Sequence, residues 1–432
     1  MSIYSPQYRH LPVRPDLDQL KQQAKDLLRA VRNGEPAAVS ELNCFHPNPP
    51  DPADAKLADA QLALARAYGN RNWPRLVLAC SLIDAIWCDD ISAARDLVGK
   101  HPNLIHENAR GTEKCNWGPP MSYAANLGRN GIITMLADLG ADDFQSALDR
   151  AMLQGKIDTA ELIYQLMGSP GPPADALDGP AYTLSVSGTE FALKVGARVV
   201  DDDGQRLAPV DVVLETDSRN PAAKHAILEL YVRHGLELPD TPVMALHRGR
   251  IDLLTKHIDR DPSVLNRTFS HEEIYPPELG CHDEINATQG TPLKGTTLLH
   301  LCADYDELEI AKWLIQRGAD VNARAAVDEE GFGGHTPLFC TVVSQPAYRM
   351  NHHGLEQSAQ FTELLLANGA DTKIRASLRK QLHWGYAPRF DTEKAYKYRN
   401  VTAYEWGEQF HAKMFVSEPA MRLIAECQNQ LR

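Results

Sequence analysis

The residues best suited to chemistry gather in the C-terminal half of the chain. His271, Glu272 and Glu273 are followed eleven residues later by His282, Asp283 and Glu284, a repeated His-acid-acid pattern. Such groups have the donors to hold a divalent metal or to act as general acid and base. The spacing is not the HExxH of a zinc helix, and the same run also reads as a solvated loop of an acidic protein. Asp304 and His335 are the other acid–base candidates, so the catalytic set, if the chain is an enzyme, is Asp304, His335, Glu272, Glu273 and Asp283. No GxSxG elbow, phosphate loop or dinucleotide fingerprint accompanies them. No metal is assigned and no cofactor is expected.

Elements of a short, repeated kind must position these groups. The stretch from Gly295 to Arg324, GTTLLHLCADYDELEIAKWLIQRGADVNAR, reads as helix, tight turn, helix and extended arm. Thr297 stands where a hydroxyl can cap the first helix. Leu298, Leu299, Cys302 and Ala303 make that helix short and slim. Ile310, Ala311, Leu314 and Ile315 form the apolar stripe of the second, and Gly318 ends it in the left-handed conformation. The pattern returns from Gly334 (GHTPLF … FTELLLANGADTKIR). A unit of roughly 33 residues that recurs along a chain signals a solenoid in which each repeat buries its stripe on its neighbours.

These units resemble ankyrin repeats. The likeness is close at Gly295 to Ala323 and Gly334 to Thr372, and clear at Pro119 to Asp142 and Ser146 to Met167. Fainter copies run from Ile86 to Leu104, Ala181 to Val199, Val210 to Leu238 and Thr241 to Asp261, and Val401 to Cys427 resembles a terminal cap. The resemblance implies an all-α ankyrin-repeat solenoid of about eight helix-turn-helix repeats, occupying 81–427 behind a helical N-terminal capping segment, 1–80. In that segment Leu17, Leu20, Ala24, Leu27, Leu28 and Val31 share one helical face, and the arrangement is similar to the segment ahead of ankyrin arrays in bacterial proteins.

Composition narrows the partners. The formal net charge of −13 and the absence of a Lys/Arg cluster argue against nucleic acid and anionic membrane surfaces. Eight scattered cysteines with no CxxC pair fit buried thiols in a reducing cytoplasm. The N-terminus has no signal-peptide core, so a cytoplasmic location is expected.

Long insertions interrupt the array near 266–294, 325–335, 344–360 and 377–400, and insertions in repeat proteins map to one, often binding, side. The first, second and fourth leave the hairpin edge of consecutive repeats and are expected to lie side by side over the concave face. In an ankyrin unit the two residues after the paired small residues look into that groove: Asn126 and Leu127, Leu153 and Gln154, Asp304 and Tyr305. With Tyr275, Phe332, Trp384 and Tyr386 from the loops, they form the expected binding groove. The resemblance implies a protein-protein interaction scaffold. The alternative is an enzyme or small-molecule sensor whose loops close a pocket over a small polar, sugar-like or hydroxylated ligand.

Overall fold

In the computed structural model, residues 9, 11–106, 118–172, 175–283, 289–353, 355–382 and 394–430 are described. The chain forms two compact units, Met1–Pro172 and Pro173–Arg432.

The first unit begins with the amphipathic helix Leu17–Arg32. Asp16 caps it by accepting the Asp18 and Gln19 N–H groups, and Leu20, Ala24, Leu27 and Val31 are buried. Those side chains belong to one core with Leu42, Leu64 and Leu76, from the helices Pro36–Phe45, Leu57–Ala67 and Trp73–Trp87. Helical hairpins follow, Pro120–Leu127 with Asn130–Asp138 and Phe144–Leu153 with Ile157–Leu166. Alanines 124, 125, 147 and 151 are fully buried, which lets successive first helices approach closely.

The second unit continues the grammar in Asp178–Thr183 with Val186–Lys194, Val210–Glu215 with Pro221–Arg233, and Pro242–His247 with Ile251–Arg260. The best-formed hairpin joins Leu298–Tyr305 to Leu308–Gln316. Gly318 follows it at φ +98, as its position after the stripe requires. Thr297 does more than a simple cap. Its hydroxyl lies 2.8 Å from His300 Nδ1, while His300 Nε2 lies 3.1 Å from the His335 carbonyl of the next repeat. Since a carbonyl only accepts, Nε2 carries the proton and the ring staples two repeats.

Two insertions have more secondary structure than a loop reading allows. Gln345–His353 is a helix, because Pro346 at its second position needs no donated N–H. Ala376–Lys380 and Tyr396–Val401 pair as an antiparallel hairpin with a register shift near Ala376, a small sheet in a mostly helical protein. Single antiparallel bridges, Phe269 to Thr296, Val327 to Gly333 and Gly333 to Ser377, tie the arms of neighbouring hairpins together. The second and fourth insertions therefore touch through backbone, at Gly333 and Ser377.

Candidate functional site

Asp304 and Tyr305 end the helix Leu298–Tyr305, and both side chains turn inward. Asp304 is fully buried and Tyr305 nearly so. The cause lies in the first insertion, whose end, Gln289 to Leu293, fills the space over the first helices of two repeats. Thr291 donates to the Val343 carbonyl at 2.8 Å, and its hydroxyl accepts from Trp406 Nε1 at 3.0 Å. Gly290 packs so tightly that a Cβ there would stand 3.0 Å from Asp304 Oδ1 and 3.2 Å from the Gln345 backbone nitrogen.

Beneath this segment lies a cluster of charged and polar side chains. Arg219 Nη2 contacts Asp304 Oδ2 at 2.9 Å, with side-chain exposures of 2% and 0%. The guanidinium and the Lys224 ammonium each sit 4.1 Å from the centroid of the Tyr305 ring. Lys224 and His225 both reach Glu307, at 2.8 Å. The Tyr305 hydroxyl donates to the Leu214 carbonyl at 2.7 Å and lies 2.9 Å from the Tyr275 hydroxyl. His247 meets Tyr305 edge-on, with centroids 4.8 Å apart, and its Nε2 donates to the Ile274 carbonyl at 3.1 Å.

Burial sets the protonation states. It drives His247 well below the usual histidine range, with Lys224 adding to the effect, so the ring is neutral and Nδ1 is a bare acceptor. Burial also lowers Lys224 against the pull of Glu307. For Glu307 burial works upward, but Lys224 and His225 outweigh it and hold the carboxylate ionised. Burial opposes the charge on Arg219 too, and Asp304 more than restores it. Burial holds the Tyr305 phenol protonated. Two cations thus face two carboxylates, and the cluster is close to neutral.

Its hydrogen bonding is incomplete within the protein. Gln345 is fully buried, yet neither its Oε1 nor its Nε2 has a partner among the described residues. Asp304 Oδ1, Arg219 Nε and His247 Nδ1 are likewise unpaired. The Lys224 ammonium touches Glu307 but outside hydrogen-bond geometry, so it retains donor capacity. Buried polar atoms are almost always satisfied, and each exception costs about 1–3 kcal/mol. Among the described residues the cluster thus keeps three acceptors, and guanidinium, amide and ammonium donors, without partners.

The other sequence candidates lie elsewhere. Glu272 and Asp283 are exposed. Glu273, also exposed, accepts the Ser270 N–H at 2.8 Å and pairs with Arg267 at 2.9 Å, closing the start of the short helix His271–Ile274. Among the described residues no group of three or more His, Cys, Asp and Glu side chains converges as a metal site. His335 and Phe332 are buried beside Glu273 around a separate cavity. The expected catalytic set is therefore not drawn to one point: Asp304 belongs to the buried cluster and the rest do not. Tyr275 and Tyr305 do meet. In the first unit Asn126 is buried, Leu127 and Leu153 are half-exposed, and Gln154 is exposed. Trp384 and Tyr386 lie outside the described residues.

Sequence reasoning missed Arg219, Lys224, His247, Glu307 and Gln345. Arg219 and Lys224 flank the start of Pro221–Arg233, in a repeat that has lost most of its pattern. The only available signal was two cations within six residues of a segment otherwise patterned for burial.

Helical hairpins joined by extended arms, with small residues on the first-helix face, define a helical repeat protein. Residues 294–326 match the family model of the ankyrin repeat. The chain thus carries an ankyrin repeat, and the matched unit includes Asp304, Tyr305 and Glu307. No curated protein matches the chain.

Proposed function

We propose that this ankyrin-repeat protein binds a small, uncharged, hydroxyl- or amide-bearing molecule in the buried cluster of Arg219, Lys224, His247, Asp304, Glu307 and Gln345. The observation that carries this reading is the set of buried polar atoms without a partner among the described residues: Asp304 Oδ1, Arg219 Nε, His247 Nδ1 and the amide of Gln345, whose backbone nitrogen lies across Gly290 from Asp304. The balanced charges favour a neutral ligand, because a net charge there would bear its full desolvation cost. Several hydroxyl groups would each donate to one acceptor and accept from one donor, which is the complement the cluster needs. Burial of Asp304, Tyr305 and Tyr275 supports the small-ligand reading over an open groove in these repeats. His247, neutral with a bare Nδ1, is suited to accept a hydrogen bond from a bound hydroxyl. Entry requires the Gln289–Leu293 segment to move.

The test is calorimetry of the purified chain against free monosaccharides, inositols and short polyols, beside a Gln345→Leu variant. Saturable binding to the parent that weakens at least tenfold in the variant supports the reading. No heat with any of them, or equal binding by the variant, rejects it. A protein partner is a second reading for the first unit, where Leu127, Leu153 and Gln154 keep accessible surface on consecutive first helices. Interface anchors are typically apolar or aromatic groups in such register.

A further inference from the structure

The left-handed turn between paired helices carries an unexpected charge. In three hairpins the residue two places before the second helix is glycine, Gly128, Gly155 and Gly249, each at positive φ. Before Leu308–Gln316 that place belongs to Asp306, at φ +59. Aspartate tolerates this conformation better than most side chains, but still at a cost that glycine avoids. Asp89 holds the same place before Ile91–Lys100, and its carboxylate meets Arg129 at 3.9 Å. The Asp306 carboxylate has no hydrogen bond or ion pair among the described residues.

Asp306 lines a cavity of about 290 Å³, at the small end of the range for ligand sites. Leu308, Pro346 and Met350, all half-buried, give it an accessible apolar wall. Asp306 itself is exposed, yet burial, aided by the neighbouring Glu307 charge, raises its carboxyl above the usual aspartate value. The carboxylate therefore faces a recess and not open water. The charge of Glu307 is already matched by Lys224 and His225. Arg349 pulls the Asp306 value down only in part, and it spends Nη1 on the Arg219 carbonyl at 2.8 Å.

We propose that this cavity binds a small primary aliphatic ammonium, whose charged head pairs with Asp306 while its stem lies on Leu308, Pro346 and Met350. A carboxylate and an ammonium make a charge-assisted hydrogen bond, stronger than a neutral one, and the stem gains from leaving water. An anion would meet Asp306 as a like charge. A neutral alcohol of the same shape would keep the wall contacts and lose the charge pairing. None of the residues of the Arg219–Asp304 cluster lines this cavity, so the two sites stand or fall separately.

The experiment measures binding of n-butylamine, methylamine and n-butanol to the full chain at pH 7.5 by ligand-observed NMR and calorimetry, with an Asp306→Asn variant alongside. Asparagine accepts the left-handed turn as aspartate does, so the variant removes the charge and keeps the backbone. The expected result is saturable binding of n-butylamine, at least tenfold weaker binding of n-butanol and of methylamine, and a similar loss for n-butylamine in D306N. Equal binding of the amine and the alcohol would overturn recognition of the charge. Equal binding of the two amines would overturn the role of the apolar wall. Binding unchanged in D306N would mean diffuse attraction to a chain of net charge −13 and would overturn the role of Asp306. No saturable binding of n-butylamine would overturn the site.

Discussion

Replacing Asp304 with alanine should be one of the most damaging single changes in the second unit. The substitution leaves the Arg219 guanidinium 2% exposed, without its carboxylate and with its Nε already unpaired. Removing one partner of a buried ion pair typically costs 3–5 kcal/mol, because the remaining charge stays desolvated. Arg219 keeps its contact with the Thr216 carbonyl and its stack on Tyr305, so about 3 kcal/mol is the better figure here. The chain has two compact units, for which a single two-state unfolding transition is not the expectation, so a local readout is needed. Hydrogen exchange of peptides spanning Leu298–Tyr305 supplies it. At about 1.4 kcal/mol per tenfold, D304A should speed exchange in that helix by roughly a hundredfold. The double variant Arg219→Met/Asp304→Leu should recover most of the loss, since apolar replacement of a whole buried pair is often neutral. If D304A changes exchange less than about fivefold, or if the double variant is as damaged as the single, the cluster is not the desolvated pair described above.

Acid should weaken the fold through its buried histidines. Burial lowers His300 to about 3, His335 to about 4, and His247 well below its usual value. A base with a depressed folded-state value binds its proton more readily when unfolded. Stability therefore falls as pH drops below about 6.5, by up to about 1.4 kcal/mol per pH unit per histidine, until the folded values are reached. Melting scans from pH 7.5 to 4.5 check this, and a flat profile contradicts it. Gly333→Ala should be severe, because φ is +124 and the new Cβ would stand 1.9 Å from the Ala326 carbonyl oxygen. The strained backbone alone implies a loss of about 1–3 kcal/mol, read as a lower melting temperature. Thr291→Val should strand the Trp406 Nε1–H and cost about 1–3 kcal/mol, measured by denaturation followed on tryptophan fluorescence.

Much of the fold could be read along the chain because each hairpin carries its own local signals. Leu298 to Gly318 announces two helices and their stop with apolar spacing, small residues and a terminal glycine. The helix Gln345–His353 was masked by its glutamine, proline and paired histidines, which read as a loop. The strands Ala376–Lys380 and Tyr396–Val401 depend on pairing across a long insertion, and nearest-neighbour patterns carry no such information. The site was half legible. Asp304 and Tyr305 follow from their place in the repeat, but Asp304 is covered by Gly290 of the first insertion, and Tyr305 by Arg219, Lys224, His247 and Tyr275. Arg219 reaches Asp304 across 85 residues, and no spacing rule links them.

The most direct test of the buried cluster is a high-resolution crystal structure of the protein purified with its cell-derived ligands and inspected around Gln345, Asp304 and His247. The account predicts density for a small hydroxylated molecule, bonded to the Gln345 amide and Asp304 Oδ1, with Gln289–Leu293 closed or shifted over it. One or two isolated waters that satisfy those atoms, unchanged after soaking with the polyols that calorimetry tests, would contradict it and make the cluster a hydrated structural core.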